Sequence, residues 1–151
     1  MIRFFGGRVM ALANGIETQD IEVWTEGSKI VFVGKPKAEE LDGKVFEREY
    51  DLKGNLLMPS FKNAHTHSAM TFLRSYADDM PLQDWLFKQI FPMEAKLDGE
   101  KVYWLTKLAI LEYLTTGCTA AFDMYFELDD YVKACTESGF RSVLCGAVSG
   151  D

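Results

Sequence analysis

The sequence predicts an α/β fold in two parts: a small β subdomain over residues 1–57, then strands alternating with helices over residues 58–151. Three observations carry this. Short apolar runs separated by glycine-bearing turns fill the first part, as in a series of short strands. From residue 56 single apolar strands alternate with stretches of helical periodicity, the order that βαβ units give. The 151 residues, 48% hydrophobic and 13% aromatic, are enough to bury an ordinary core.

In the first part, strands are predicted at residues 2–12, 21–24, 29–33 and 45–52. Turns fall at Asn14-Gly15, Glu26-Gly27-Ser28, Asp42-Gly43 and Lys53-Gly54-Asn55. The unit is expected to be antiparallel. Roughly fifty residues make a marginal core alone, so this sheet is expected to pack on something else.

A strand over residues 56–64 opens the second part. Residues 68–76 fit a short helix, and 82–91 an amphipathic one punctuated by Pro81 and Pro92. Asp98 is placed to cap a helix over 100–116, in which Val102, Leu105, Leu108, Ala109 and Leu111 recur at helical spacing, and Gly117 stops it. A buried strand over 119–124, a helix over 128–138 ended by Gly139, and an apolar strand over 141–148 follow. Such alternation builds a parallel sheet through right-handed crossovers. A closed (β/α)₈ barrel takes about 250 residues, and 94 remain after residue 57. The chain therefore reads as the front part of something larger.

Composition narrows the function. A formal charge of -7, from 23 acidic and 16 basic residues, argues against broad contact with nucleic acid or an anionic membrane. Gly6, Gly7 and Arg8 interrupt the amino-terminal apolar stretch before it reaches the length of a secretory core. No apolar run approaches the ~18 residues of a membrane span, so the protein is expected to be soluble and cytoplasmic. Cys118, Cys135 and Cys145 are odd in number and lack Cys-x-x-Cys spacing, which makes them reduced packing residues.

The main chemical signal is Met58-Pro59-Ser60-Phe61-Lys62-Asn63-Ala64-His65-Thr66-His67, an apolar run ending in the only two histidines of the chain. Strand side chains alternate faces, so His65 and His67 point the same way with alpha carbons about 6.7 Å apart. Two imidazoles can then converge on one ion. Zinc-type ions want about four ligands, so the pair makes half a site. Two surface or packed histidines at a strand end remain the competing reading.

Taken together, Leu57-Met58-Pro59-Ser60-Phe61-Lys62-Asn63-Ala64-His65-Thr66-His67-Ser68-Ala69-Met70-Thr71 resembles the first barrel strand of the amidohydrolase superfamily. The stretches Ala77-Asp78-Asp79-Met80-Pro81-Leu82-Gln83-Asp84-Trp85-Leu86-Phe87, Phe91-Pro92-Met93-Glu94 and Phe122-Asp123-Met124-Tyr125-Phe126 are similar to one branch of it. That branch holds the 5-methylthioadenosine/S-adenosylhomocysteine deaminases and related chlorohydrolases.

The resemblance covers essentially the whole chain. It implies the amino-terminal part of a (β/α)₈ metal-dependent hydrolase barrel: residues 58–151 supply the first three strands of an incomplete TIM-type barrel, and a small β-sandwich subdomain, 1–57, precedes it. It further implies one divalent metal, most often zinc, on His65 and His67, with the remaining ligands, a histidine and an aspartate, on later strands. In the family the metal lowers the pKa of bound water, and the hydroxide attacks the ring carbon that carries the leaving amine. The implied partner is a small-molecule heterocyclic substrate, adenosine-like.

By the same resemblance Glu94 matches a glutamate that hydrogen-bonds ribose hydroxyls, which an ionised carboxylate can accept in pairs. A solvated glutamate opening the Glu94-Ala95-Lys96 turn is the alternative. Trp85 matches a tryptophan near the substrate pocket, against plain core packing of an amphipathic helix. Asp123 sits where a barrel strand meets its loop, the face on which barrel active sites form, and a structural role, capping the next helix or bonding to the loop, is preferred for it. Arg74 is read as a fold contact. Relatives that handle S-adenosylhomocysteine carry an arginine where this chain has Gly146, which argues against that substrate.

This chain lacks the third histidine and the strands that would carry the other ligands and proton-transfer groups, so no catalytic residue is assigned in it and alone it is expected to be inactive. Open sheet edges and unburied helix faces imply company, as a homo-oligomer or with a complementary carboxyl-terminal fragment. Two alternatives stand beside the deaminase reading. One is a non-catalytic, truncated structural or oligomerising module; the other is a chlorohydrolase or cyclic amide hydrolase of the same superfamily.

Overall fold

The first apolar run is not one strand. β1 (Ile2–Phe5) stops at Gly6, and β2 (Arg8–Ala11) starts beyond Gly7 in a different sheet. The chain after residue 50 crosses here: a Cβ on Gly6, whose φ is +70°, would lie 2.3 Å from Asp51 Oδ1, and one on Gly7 2.4 Å from the Asn55 carbonyl oxygen. Only glycine permits that approach. The computed structural model describes residues 1–11 and 16–146, so Leu12 and the Asn14-Gly15 turn lie outside the described residues.

Two units are present, Met1–Pro59 and Ser60–Asp151. In the first, β3 (Glu17–Gln19), β4 (Glu22–Glu26), β5 (Lys29–Gly34), a short helix α1 (Ala38–Leu41), β6 (Arg48–Asp51) and β7 (Leu56–Leu57) follow β1 and β2. They form two sheets, ordered β5-β4-β1-β6 and β3-β2-β7. The expectation of an antiparallel unit is corrected: β1 pairs antiparallel with β4 but parallel with β6, and β2 antiparallel with β3 but parallel with β7. Parallel neighbours need connections longer than hairpins, and the stretch containing α1 is part of the one that returns β6 beside β1.

The core of this unit centres on buried Val9, Val23 and Trp24, with Trp24 stacked on Phe32 at 4.1 Å and edge-on to Phe46 at 5.1 Å. Arg3 grips Glu22 through Nε and Nη2 at 2.7 and 2.6 Å and reaches Glu49 at 2.9 Å. Trp24 Nε1 also donates to Glu22, at 2.9 Å. The Arg3 guanidinium thus holds the Glu22 carboxyl below its usual range despite partial burial.

The predicted strand over 56–64 proves to be two. Its start, β7, pairs with β2 in the first unit, and β8 (Phe61–Thr66) begins the second unit after Pro59, which has no N–H to give a ladder. Then come a 3₁₀ helix (Ser68–Leu73), α2 (Leu82–Asp84), a wide π-helical turn (Trp85–Ile90), α3 (Phe91–Glu94), α4 (Gly99–Thr115), β9 (Cys118–Tyr125), α5 (Leu128–Ser138) and β10 (Arg141–Gly146). Positions 147 and 148 of the last predicted strand lie outside the described residues.

β8, β9 and β10 form a parallel sheet with β9 central. The local signals behave as read: Asp98 accepts the Lys101 N–H at 2.9 Å to cap α4, and Gly117 and Gly139, at φ +82° and +63°, end α4 and α5. Pro92 does not end the helix before it. Lacking an N–H it sits in the first turn of α3, while Phe91 donates back five residues to the Leu86 carbonyl. The expectation of a buried strand at β9 is also corrected. Ala121, Asp123 and Tyr125 are buried toward α4 and α5 with Val102, Ile110, Tyr131 and Phe140, whereas Phe122 and Met124 on the other face are 48% and 41% exposed. Cys118 and Cys135 are buried free thiols and Cys145 is half-buried. Among the described residues no helix is long and apolar enough to cross a membrane.

Candidate functional site

The carboxyl-terminal ends of β8 and β9 meet at His67. Alternation along β8 sets His65 and His67 side by side, with ring centroids 5.1 Å apart and planes 84° apart. His65 is exposed and His67 half-buried. His67 Nδ1 lies 2.8 Å from the Met124 carbonyl oxygen. A carbonyl only accepts, so Nδ1 carries a proton, and in the neutral ring the lone pair is left on Nε2. The backbone N–H of His65 donates to Asn63 Oδ1 at 3.2 Å.

A cleft of about 700 Å³ opens beside His67. Met70, Trp85, Leu86, Ile90, Phe91 and Phe126 supply apolar wall, and Glu94, Tyr125 and Glu127 supply polar groups. Three of the four expected site residues, His67, Trp85 and Glu94, therefore share one cleft. His65 stands next to His67 but not in the lining. Among the described residues lining the cleft there is no lysine or arginine.

Glu94 is half-buried. Burial pushes its carboxyl above the usual range, against the opposite pull of the Tyr125 hydroxyl and of His67. Among the described residues the buried Tyr125 hydroxyl completes no hydrogen bond of normal geometry, and burial, with Glu94 beside it, pushes it well above the ordinary tyrosine range. Sequence reasoning passed over Tyr125. The signal was there: Tyr125 lies two positions beyond Asp123 on β9, and so on the same face at the end of the strand.

Asp123 is wholly buried and does not cap the following helix. It accepts from the Ser68 backbone N–H at 3.3 and 3.2 Å, from the Ser68 hydroxyl and from the Tyr131 hydroxyl. The Tyr113 hydroxyl lies 2.9 Å from Ser68 Oγ and 2.6 Å from Thr66 Oγ1. With the Ser68 proton committed to Asp123, Tyr113 donates to Ser68 and Thr66 to Tyr113. Burial, with Asp123 beside it, pushes the Tyr131 hydroxyl well above the ordinary tyrosine range, so it remains a donor. Arg74 is the fold contact expected of it, pairing with both oxygens of Glu112 at 2.9 and 2.6 Å on the surface.

Among the described residues, no cluster of three or more histidine, cysteine, aspartate or glutamate side chains could by itself hold a metal ion. The two imidazoles fit half of such a site, because His67 keeps Nε2 free and His65 lies beside it.

Residues 56–150 match the model of the Amidohydrolase family. The chain is 42% identical over 130 residues to a 5-methylthioadenosine/S-adenosylhomocysteine deaminase of Desulfitobacterium hafniense, covering 86% of this chain and 30% of the relative. It is 56% identical over 94 residues to a 5'-deoxyadenosine deaminase of Methanospirillum hungatei, covering 62% and 21%. Its fold is similar to the crystal structure of a zinc-bound adenosine deaminase from Xanthomonas campestris, with a TM-score of 0.86 and 33% identity, over 94% of this chain and 33% of that one. The chain thus spans about 30% of the length of the first of these relatives.

Proposed function

This chain belongs to the amidohydrolase family, and from that premise we propose that it is the amino-terminal portion of a metal-dependent aminohydrolase that deaminates an adenosine-like nucleoside. The observation that carries the reading is the single cleft joining His67, Trp85 and Glu94 at the ends of parallel strands, the face where barrel sites form. On this reading residues 58–151 are the first three strands of a TIM-type barrel, and 1–57 a separate β subdomain. The uncovered face of the sheet, with exposed Phe122, Met124 and Val143, supports closure by further strands.

His65 and His67 would hold one divalent ion, zinc by its chemistry toward imidazole. Such an ion, when bound, supplies Lewis acidity and lowers the pKa of water at the site. The chain's own groups bind and orient the nucleoside. Trp85 offers an apolar aromatic face to a flat purine, Glu94 accepts from sugar hydroxyls, and the apolar wall of Met70, Ile90, Phe91 and Phe126 excludes water from the ligand. The absence of cationic side chains among the described lining residues, and Gly146 at the end of β10, favour a nucleoside with a neutral 5' substituent over one ending in a carboxylate.

Equilibrium binding tests the reading. Quenching of tryptophan fluorescence by 5-methylthioadenosine is expected in the 151-residue chain and expected to vanish in Trp85→Phe, with Glu94→Gln weakening it about tenfold, the order of one lost charged hydrogen bond. Zinc binding is expected to disappear in His65→Ala and His67→Ala. Ammonia release is expected only when the carboxyl-terminal strands are supplied. Nucleoside binding that ignores Trp85 and Glu94, with zinc binding that ignores both histidines, would sink the reading.

A further inference from the structure

We propose that Asp123 is a positioning residue for His67, fixing the backbone just after that histidine so that its Nε2 faces the ion. The inference rests on the metal reading of the His65 and His67 pair and adds to it a residue from the neighbouring strand.

The donors to Asp123 say what the carboxylate is for. Burying a carboxylate away from water is costly unless strong partners compensate it, and among the described residues no lysine or arginine pairs with Asp123. Its partners are neutral, and two of them, the backbone N–H and hydroxyl of Ser68, belong to the residue that follows His67. Ser68 opens the 3₁₀ helix Ser68–Leu73, so its N–H would otherwise be an orphan of the helix start. Asp123, reaching across from β9, satisfies it.

The next residue on β9 completes the hold. Met124 offers its carbonyl to His67 Nδ1 at 2.8 Å, so consecutive residues of β9 fasten consecutive residues after β8. His67 leaves the strand at φ −132° and ψ 76°, between an extended and a turn conformation. On its other side Thr66 is tied to Tyr113, which also reaches Ser68. Both neighbours of His67 are therefore anchored on the buried face, while His65 and His67 project together on the other. His67 is held at backbone and ring. Among the described residues no hydrogen bond reaches the His65 ring.

A ring held in one tautomer and one direction is what an outer partner of a metal-ligating histidine provides, and losing such a partner typically weakens metal binding about 10- to 100-fold. Releasing Ser68 frees the backbone of His67 and lets the ring drift from the Met124 carbonyl, so the two tautomers mix.

The test is nitrogen NMR of the imidazole rings in the 151-residue chain, without metal and then with added zinc, on the unaltered protein, Asp123→Asn, Ser68→Ala and Tyr131→Phe. In the unaltered chain His67 is expected in the Nδ1–H form. Asp123→Asn is expected to mix its tautomers and weaken the zinc response about 10- to 100-fold, with the metal-free His65 signals unchanged. Ser68→Ala, which keeps the backbone N–H bond, moves His67 the same way by less and carries the test if Asp123→Asn does not fold. Tyr131→Phe frees the same carboxylate but leaves both Ser68 bonds to Asp123 in place, so it is expected to lower thermal stability and to move the tautomer least of the three. A His67 tautomer and zinc response unaffected by Asp123→Asn and Ser68→Ala would overturn the inference, as would a Tyr131→Phe effect on His67 as large as theirs. Zinc that moves neither ring of the unaltered chain would instead overturn the metal reading itself.

Discussion

Each unit holds a carboxylate that gathers several donors, and the two are satisfied in opposite ways. Glu22 in the β unit faces a cation, Arg3, which closes on it through two nitrogens, and the pair is rimmed by Trp24 and Glu49. Asp123 in the α/β unit is more deeply buried and has hydroxyls and a backbone N–H for company. An ion pair between two β-strands secures the sheet and asks little of the surrounding geometry. A carboxylate met by several neutral donors fixes the direction of each, which is what a site needs from its scaffold.

The largest expected effect follows from emptying the second arrangement. Asp123→Ala leaves the Ser68 N–H, the Ser68 hydroxyl and the Tyr131 hydroxyl without their acceptor, and is expected to cost about 3 to 5 kcal/mol in urea unfolding. Tyr131→Phe removes one donor and keeps the shape; about 2 kcal/mol is expected by the same measurement. If both cost no more than a surface substitution, the contrast between the units collapses.

The Glu22 side sharpens the comparison through pH. Its carboxyl is held below the unfolded value of 4.5 by Arg3, so its contribution is present above about that pH and is lost as pH falls through the lower folded value. Glu22→Gln is expected to cost about 1 kcal/mol at neutral pH and to flatten the acid limb of stability against pH. An unchanged acid limb would show that the pair does not govern it. The smallest effect is expected at Arg74 and Glu112, an exposed ion pair; Arg74→Ala should leave the urea midpoint unmoved.

What the sequence disclosed divides along the same line, between local and distant causes. The caps at Asp98, Gly117 and Gly139 act within a turn or two, and each stands where read. The side-by-side histidines follow from strand alternation alone. Parallel pairing of β6 with β1 joins residues 46 positions apart, and nothing local in Arg48–Asp51 announces the partner. Asp123 and Ser68 are 55 positions apart, so the carboxylate could be noticed at a strand end but not matched to its donors. The cleft's Trp85 and Glu94 came from family likeness, and helical periodicity would have argued against them.

The wide turn at Trp85–Ile90 is what brings these two side chains to one cleft. Trp85 and Glu94 are nine positions apart, and in a regular α-helix, at about 100° per residue, nine steps end half a turn away, on opposite sides. The π-helical turn takes up one residue, leaving the angular distance of about eight ordinary steps, roughly 80°. Chain length in this segment is therefore matched to the wide turn. Removing one residue from it heals the helix and keeps Trp85 and Glu94 on a common side, whereas straightening it at full length turns them away from each other.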